Sequence, residues 1–332
     1  MKNIAINGFG RIGRLVFRGF LNNDKYKVVA INDLMDMKSL VYLLKHDSVH
    51  GILKNTIEVK EGAIVVDGVE VKVFSERNPE ELPWKELDIN VVVESTGIFR
   101  SKEGAAKHLT AGAKKVIISA PAKGEVDATV VLGVNDEILK PEHKIISNAS
   151  CTTNCLAPIM KVLTDNFTVE SALMTTIHSY TMDQRLLDFP HSDLRRARAA
   201  ALNIIPTTTG AATATAKVIP ELKGKIDGMA VRVPTPTGSL VDVSVIIDRK
   251  TTKEEINKLM KAASENKMKG ILEYVEGPIV STDIVGNPAS SIFDADVTLV
   301  NGNFIKVLSW YDNEAGYANR VVDLVQYISE LE

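Results

Sequence analysis

The chain opens on a short apolar run, Asn3 to Asn7, followed at once by Gly8-Phe9-Gly10-Arg11-Ile12-Gly13. A helical pattern runs from Arg14 to about Leu21, and a second apolar run, Lys27 to Asn32, ends in Asp33. This order of strand, glycine turn, helix, strand and acid constrains the fold more than any other stretch. Gly8 permits a tight turn, Gly10 lets the backbone approach a pyrophosphate, and Gly13 allows close helix–strand packing. Asp33 falls at the ~20-residue offset of the acid that binds a ribose 2′-hydroxyl, where a carboxylate repels a 2′-phosphate. The expected cofactor is therefore NAD rather than NADP.

Further strand-like runs lie at residues 90–94, 115–119, 129–133 and 144–147, with a helical pattern at 101–111. Strands alternating with helices predict a doubly wound, Rossmann-type α/β cofactor domain over residues 1–150. Residues 57–74 alternate around turns at Glu61-Gly62 and Asp67-Gly68, which predicts an antiparallel insertion. Ser95, Thr96 and Ser119 end strands, where ligands gather; capping of the next turn explains them equally well.

The 332 residues suit about two domains, at ~100–200 residues each. Lys and Arg number 39 against 42 Asp and Glu, so the net charge is −3. Such balance gives no electrostatic footprint for nucleic acid or an anionic membrane. The apolar runs are strand-sized, which predicts no transmembrane helix. The N-terminus leads directly into a strand, so no secretory signal is expected. Two cysteines make no disulfide framework. The expectation is a soluble intracellular protein.

The second half changes style. Strand-like runs at 167–177, 229–234, 239–248, 297–300 and 304–310 accompany helical patterns at 252–265 and 317–331. They predict an α+β catalytic domain over residues 151–315 with a mainly antiparallel sheet. The C-terminal helix, from about residue 316, is expected to pack back on the cofactor domain.

Between the two halves stands Ser150-Cys151-Thr152-Thr153-Asn154-Cys155, after a strand-like run and before an apolar helical pattern. A cysteine at a helix start meets outward N–H groups and the positive end of the dipole, which favour thiolate. The flanking Ser150 and Thr152 suit an anion. The plainer alternative is a small buried core cysteine. His178 ends a strand and precedes a long polar segment, 179–203. Near Cys151 it could act as general base and acid; as a core histidine it would do neither. Arg195, Arg196, Arg198 and Arg232 form either a solvated face or a bidentate phosphate site. Thr207-Thr208-Thr209-Gly210 forms either an oxyanion cradle or a polar helix start. Cys151 and Cys155 lack a second ligand pair, so no metal site is expected. A redox pair between them stands against a helix-buried Cys155.

Taken together these motifs resemble phosphorylating glyceraldehyde-3-phosphate dehydrogenases from end to end. The likeness rests on residues 6–14, 147–155, 178–181, 193–198, 206–212, 231–236 and 310–314. It implies oxidation of D-glyceraldehyde 3-phosphate to 1,3-bisphosphoglycerate in glycolysis and gluconeogenesis, with NAD reduced. Cys151 would form a thiohemiacetal and then a thioester, with His178 moving the protons. Thr181 and Arg232 would hold the substrate phosphate. Ser150, Thr152, Thr209, Gly210 and the Arg195–Arg196 region would hold the attacking inorganic phosphate, without a choice between the two arginines. Arg11 and Ile12 would lie on the pyrophosphate, Asp33 on the adenosine ribose, and Arg77 and Ser119 along the cofactor. Asn313 would orient the nicotinamide carboxamide. The resemblance also implies a cytoplasmic homotetramer, with the segment after His178 at a subunit interface.

Met182, Phe189 and Thr213 depart from the family's pattern, Thr213 standing where many members carry lysine. Three other readings compete. One is an erythrose-4-phosphate dehydrogenase of the same architecture, releasing free acid through water. Another is a non-catalytic binding protein on the same scaffold, against which the presence of Cys151 and His178 speaks. The third is a thiol-redox sensor using Cys151 and Cys155.

Overall fold

The computed structural model describes residues 1–331, which divide into two compact units. The first comprises Met1–Val130, Glu137–Ala149 and the chain from Ala318; the second comprises Val131–Asp136 and Ser150–Tyr317.

In the first unit the chain order is β1 (Lys2–Asn7), α1 (Arg11–Phe20), β2 (Tyr26–Asn32), α2 (Met37–Lys45), β3 (Ile57–Lys60), β4 (Ala63–Val66) and β5 (Val69–Phe74). There follow β6 (Ile89–Glu94), α3 (Lys102–Thr110), β7 (Lys115–Ile118), β8 (Ala128–Thr129) and β9 (Ile145–Ser147). The nine strands form one sheet in the order β3-β4-β5-β2-β1-β6-β7-β9-β8. Pairing is parallel except at β3–β4 and β4–β5, the antiparallel insertion. Ile4, Ala5 and Ile6 are fully buried, as a strand covered on both faces requires. In α1 the buried positions other than Arg14, namely Gly13, Val16, Phe17 and Phe20, recur every three or four residues and turn one stripe to the sheet. β1 lies between β2 and β6, where the winding reverses. That switch point is where open α/β sheets take ligands, beyond the carboxyl ends of the strands.

The second unit contains α4 (Cys151–Asn166), β10 (Val169–Ser179), β11 (Ile205–Thr207), α5 (Ala211–Val218), β12 (Ile226–Val233) and β13 (Ser239–Ile247). It continues with α6 (Lys253–Glu265), β14 (Leu272–Val275), β15 (Ser291–Asp294), β16 (Leu299–Asn301) and β17 (Phe304–Tyr311). Their sheet runs β11-β12-β10-β13-β17-β15-β14, with β16 beside β17. Most pairs are antiparallel; β10–β12 and β14–β15 are parallel, so the sheet is mixed. Val241, Val243, Val245 and Ile247 of β13 alternate into the core. The final helix, α7 (Ala315–Glu330), starts where Asp312 Oδ1 caps the N–H groups of Glu314 and Ala315. From Ala318 it belongs with the first unit, where the Tyr26 hydroxyl donates to Gln326 O at 3.2 Å.

Several elements differ from the sequence expectation. The run 129–133 is not one strand. Val130 N still bonds Ser147 O, but Val131 N turns to Asn135 Oδ1 and Gly133 takes φ +79°, which ends the pairing. The strand expected at 167–177 begins two residues later, because Phe167 still caps α4. The strand runs on to Ser179, so His178 is its last residue but one and pairs with Arg232 of β12. The elements α2, β11, β14 and β15 were not apparent in the sequence. β15 is buried at all four positions, so it shows no alternation.

Candidate active site

At the carboxyl edge of the first sheet each fingerprint glycine has a distinct surrounding. Gly8 adopts φ +90°, and a Cβ on it would stand 2.6 Å from Thr96 N. A Cβ on Gly13 would stand 2.2 Å from Gly8 O. Gly10, at the start of α1, has an ordinary φ of −70° and open space around it. Arg11 and Ile12 form the first turn of α1, whose N–H groups face outward as in an anion site. The Arg11 guanidinium forks onto Asp47, Nη1 to Oδ2 at 2.9 Å and Nη2 to Oδ1 at 3.3 Å. Burial alone would raise Asp47, yet the His50 and Val49 N–H groups and Arg11 bring it down to about 2. Asp33 follows β2 and accepts from Phe9 N at 2.6 Å and Met35 N at 2.9 Å. Its remaining lone pairs can still take a hydroxyl. Arg77 is exposed beyond β5, and the Ser119 hydroxyl donates to Glu94 O at 3.1 Å. This edge thus collects Gly8, Gly10, Gly13, Arg11, Ile12 and Asp33.

In the second unit the site forms where strands and a helix end together. The chain reaches α4 through Ala149, a buried non-glycine residue at φ 53°, a sparsely populated conformation for alanine. Ser150 caps α4 by accepting from Thr153 N at 3.1 Å, which leaves Cys151 as the first helical residue. Cys151 Sγ lies 3.5 Å from His178 Nε2. His178 Nδ1 lies 2.7 Å from Ser179 O. Arg232 Nη1 also lies 3.1 Å from Nδ1, but its two protons go to Ser179 O and Thr181 Oγ1. A carbonyl only accepts, so the shorter contact to Ser179 O puts the proton on Nδ1 and turns the Nε2 lone pair to the sulfur.

The electrostatics differ from what the helix start suggests. Burial raises Cys151 above an ordinary thiol, although Arg232 and bonds from Thr152 oppose it. Cys151 keeps partial solvent access, which moderates that push. His178, 4% exposed, is depressed to about 3, by burial first and Arg232 second. Both shifts disfavour an ion pair between the two.

Arg232 Nη1 donates to Thr181 Oγ1 at 2.8 Å and to Ser179 O at 3.0 Å, so Thr181, Arg232 and His178 come together. Arg196 is the better anchored of the two neighbouring arginines. It donates to Thr207 Oγ1 at 2.9 Å, Asp183 Oδ2 at 2.7 Å and Thr208 O at 3.2 Å. Arg195 is exposed and, among the described residues, its side chain reaches only Pro206 O, at 3.5 Å. Thr209 Oγ1 accepts from Ala211 N at the start of α5, with Gly210 as its cap residue. Thr152 turns its hydroxyl inward, 2.9 Å from the Tyr311 hydroxyl. Cys155 is fully buried against Ser309 O and Ser291 Oγ and is pushed up to about 12. Asn313 Oδ1 accepts from Ser239 Oγ at 2.8 Å, which fixes its amide orientation.

Three contributors were missed in the sequence. Tyr311 joins Thr152 to Thr176 Oγ1, at 2.8 Å, and its ring stands edge-on to His178 at 5.8 Å. Its position at the end of β17, two residues before Asn313, was the available signal. Asp183 bridges Thr181 and Arg196. Burial raises it, but the Thr181 hydroxyl, Arg232 and Arg196 hold it below the usual carboxylate range. Ser239 links Asn313 to Ser179 N, which it accepts at 3.1 Å. Of the departures, Met182 is 89% exposed, Thr213 is exposed on α5, and Phe189 carries the Arg185 guanidinium 5.7 Å above its ring.

A glycine-fingerprinted dinucleotide fold and a second unit bearing a paired cysteine and histidine define a class, the NAD-dependent oxidoreductases. Residues 2–102 match the glyceraldehyde 3-phosphate dehydrogenase NAD-binding domain, and residues 150–313 match the C-terminal domain of the same enzymes. The chain belongs to the glyceraldehyde 3-phosphate dehydrogenase family. It is 60% identical over 331 residues to glyceraldehyde-3-phosphate dehydrogenase 1 of Bacillus cereus, covering 99% of each chain. It is 59% identical to the glyceraldehyde-3-phosphate dehydrogenase of Thermotoga maritima, covering 100% of each, and 58% identical to that of Geobacillus stearothermophilus, covering 98% of each.

Proposed function

We propose that this chain oxidises D-glyceraldehyde 3-phosphate with NAD, using inorganic phosphate as acyl acceptor and giving 1,3-bisphosphoglycerate, the glycolytic reaction that gluconeogenesis reverses. The Cys151–His178 pair carries the reading, with Sγ 3.5 Å from Nε2 and Nδ1 tied to Ser179 O. The cofactor edge fits a dinucleotide, because Gly10 leaves open space at the start of α1 and Asp33 stands at the end of β2. Bound NAD would supply the hydride acceptor. Arg11 and Ile12 would meet the pyrophosphate through their N–H groups, Asp33 the ribose, and Arg77 and Ser119 the flanks of the groove. Asn313, its Oδ1 engaged by Ser239, offers its Nδ2 to the carboxamide.

Sγ attacks the aldehyde carbon while His178 Nε2 takes the thiol proton. The imidazolium returns it to the new alkoxide oxygen, giving a neutral thiohemiacetal. Nε2 takes that proton again as hydride leaves the carbon and the carbonyl re-forms as a thioester. A phosphate oxygen then attacks the acyl carbon, its own proton passing to water. The carbon–sulfur bond breaks, the acyl phosphate leaves, and the thiolate recovers its proton from His178. Thr181 and Arg232, already joined, suit the substrate phosphate. Arg196, the Thr209–Gly210 start of α5, Ser150 and the Thr152 N–H suit the attacking phosphate, with Arg196 favoured over Arg195 by its anchoring.

We read the assembly as a cytoplasmic homotetramer. Supporting this, Met182, Leu186, Leu187, Phe189, Leu194 and Leu202 of one segment are all more than half exposed. Among the described residues no helix is long and apolar enough to cross a membrane.

The test is NADH formation from glyceraldehyde 3-phosphate with and without inorganic phosphate. Turnover should depend on phosphate. Equal turnover without it would mean that water resolves the thioester and would withdraw Arg196 and Thr209 as phosphate ligands. Preference for erythrose 4-phosphate would overturn the substrate.

A further inference from the structure

The carboxyl edge of the first sheet contains a buried polar chain that the reaction scheme leaves unused. Trp84 Nε1–H donates to His108 Nδ1 at 3.0 Å. An indole nitrogen only donates, so His108 carries its proton on Nε2. That proton points to Glu94 Oε2, 3.0 Å away. Glu94 also accepts from Asn7 Nδ2 at 2.6 Å, from Thr96 N at 2.9 Å and from the Thr96 hydroxyl. Asn7 Oδ1 accepts from Asn32 Nδ2 at 2.7 Å, and Asn32 Oδ1 accepts from Glu76 N at 2.8 Å. Each donor and acceptor orientation is set by its neighbour, from the indole to the Glu76 backbone. Trp84, His108, Glu94, Asn7 and Asn32 are all buried.

The chain crosses the ends of β6, β1 and β2 and reaches the turn after β5. At each crossing it holds the residue beside a cofactor-facing position: Asn7 precedes Gly8, Asn32 precedes Asp33, and Glu76 precedes Arg77. Thr96 backs directly onto Gly8, where a Cβ would stand 2.6 Å from its nitrogen. Buried carboxylates are costly, and apolar residues of similar volume often pack at least as stably. A fully satisfied polar chain here does what apolar packing cannot, which is to fix one geometry.

We propose that Glu94 is a positioning residue of the cofactor site, holding the Gly8 turn, Asp33 and the Thr96 loop in the arrangement that receives the dinucleotide. The proposal rests on NAD occupying this edge. Glu94→Gln would place an NH2 group among Asn7, His108 and Thr96, all of which donate. Each carboxylate oxygen accepts from two donors, so at least one donor would go unmet and the chain would have to reorient.

The test measures NAD and ADP-ribose binding by calorimetry on cofactor-free protein, with thermal melting for each variant. Glu94→Gln and His108→Leu should each weaken both ligands about tenfold, the equivalent of one charge-assisted hydrogen bond. His108→Gln retains an acceptor for Trp84 and a donor for Glu94, and should restore most of the affinity. In turnover the Michaelis constant for NAD should rise while kcat at saturation stays nearly unchanged. Lower melting temperatures with unchanged ligand affinity would reduce Glu94 to a structural role and overturn the proposal. If a variant fails to fold, the Trp84 indole N–H resonance in Trp310→Phe protein decides. NAD should shift it through the chain, and no shift overturns the coupling. If NAD binds unmodified protein but Asp33→Ala leaves its affinity unchanged, the fault lies in the assumed cofactor edge rather than in the relay.

Discussion

Replacing Gly10 with alanine isolates the part of the glycine fingerprint that exists for a ligand. Gly10 has φ −70°, open to any residue, and a Cβ there meets no atom within 4 Å. Nothing within the protein demands glycine. Two small effects oppose each other in the cofactor-free variant. Alanine is a poorer N-cap than glycine by up to ~1 kcal/mol, while stiffening the unfolded chain returns ~0.4–1 kcal/mol. The melting temperature should hardly move. Binding should change much more, because the N–H groups of α1 reach a phosphate oxygen only if it approaches to about 2.9 Å, across the space a methyl would fill. One lost charge-assisted hydrogen bond is worth roughly 1.5–3 kcal/mol, a weakening of NAD by about tenfold to a hundredfold. Gly13→Ala supplies the contrast. Its Cβ would sit 2.2 Å from Gly8 O and 3.3 Å from Ile6 Cγ2, so helix and turn must part. Overpacking of this kind costs about 1–3 kcal/mol or more, against ~1 kcal/mol regained in helix propensity. That variant should melt early even without cofactor. Thermal melting without NAD and calorimetric titration with it separate the two. Wild-type NAD affinity in Gly10→Ala would refute the assignment of this edge to the pyrophosphate.

Other expectations follow from the second unit. His178 is depressed to about 3 by burial and Arg232, whereas the unfolded imidazole titrates near 6.5. The unfolded chain therefore binds the extra proton in that window, and stability should fall as pH drops from 6.5 toward 3, by at most ~1.4 kcal/mol per unit. Denaturant titrations across the window should show a flatter slope for His178→Asn; an unchanged slope would mean that other groups carry it. Arg196→Ala should raise the Michaelis constant for phosphate at least about tenfold, as loss of a bidentate charged contact implies. Arg195→Ala should change it far less, and the reverse order in initial-rate kinetics would move the anion site. Tyr311→Phe removes the hydroxyl between Thr152 and Thr176 and should cost ~1–3 kcal/mol in chemical denaturation. It should also slow alkylation of Cys151 by loosening its pairing with His178; an unchanged rate would show that Tyr311 only packs.

The sequence by itself determined what short-range chemistry can encode. The glycine turn with its following acid, the cysteine opening a helix, and the alternation of β13 and β17 were legible because each depends on residues a few positions apart. The site's proton positions and partners were not. Thr152 and Tyr311, 159 positions apart, meet only after α4 and β17 have packed. The choice of Arg196 over Arg195 came from contacts with Thr207 and Asp183, which neighbouring arginines cannot reveal in sequence. A cysteine at a helix start suggested a lowered pKa, yet burial pushes the Cys151 thiol up and the His178 imidazole down. Local pattern fixes backbone geometry, whereas desolvation and long-range hydrogen bonds exist only once distant segments exclude water together. For that reason the tertiary structure alone decided the tautomer of His178 and the course of the polar chain through Glu94.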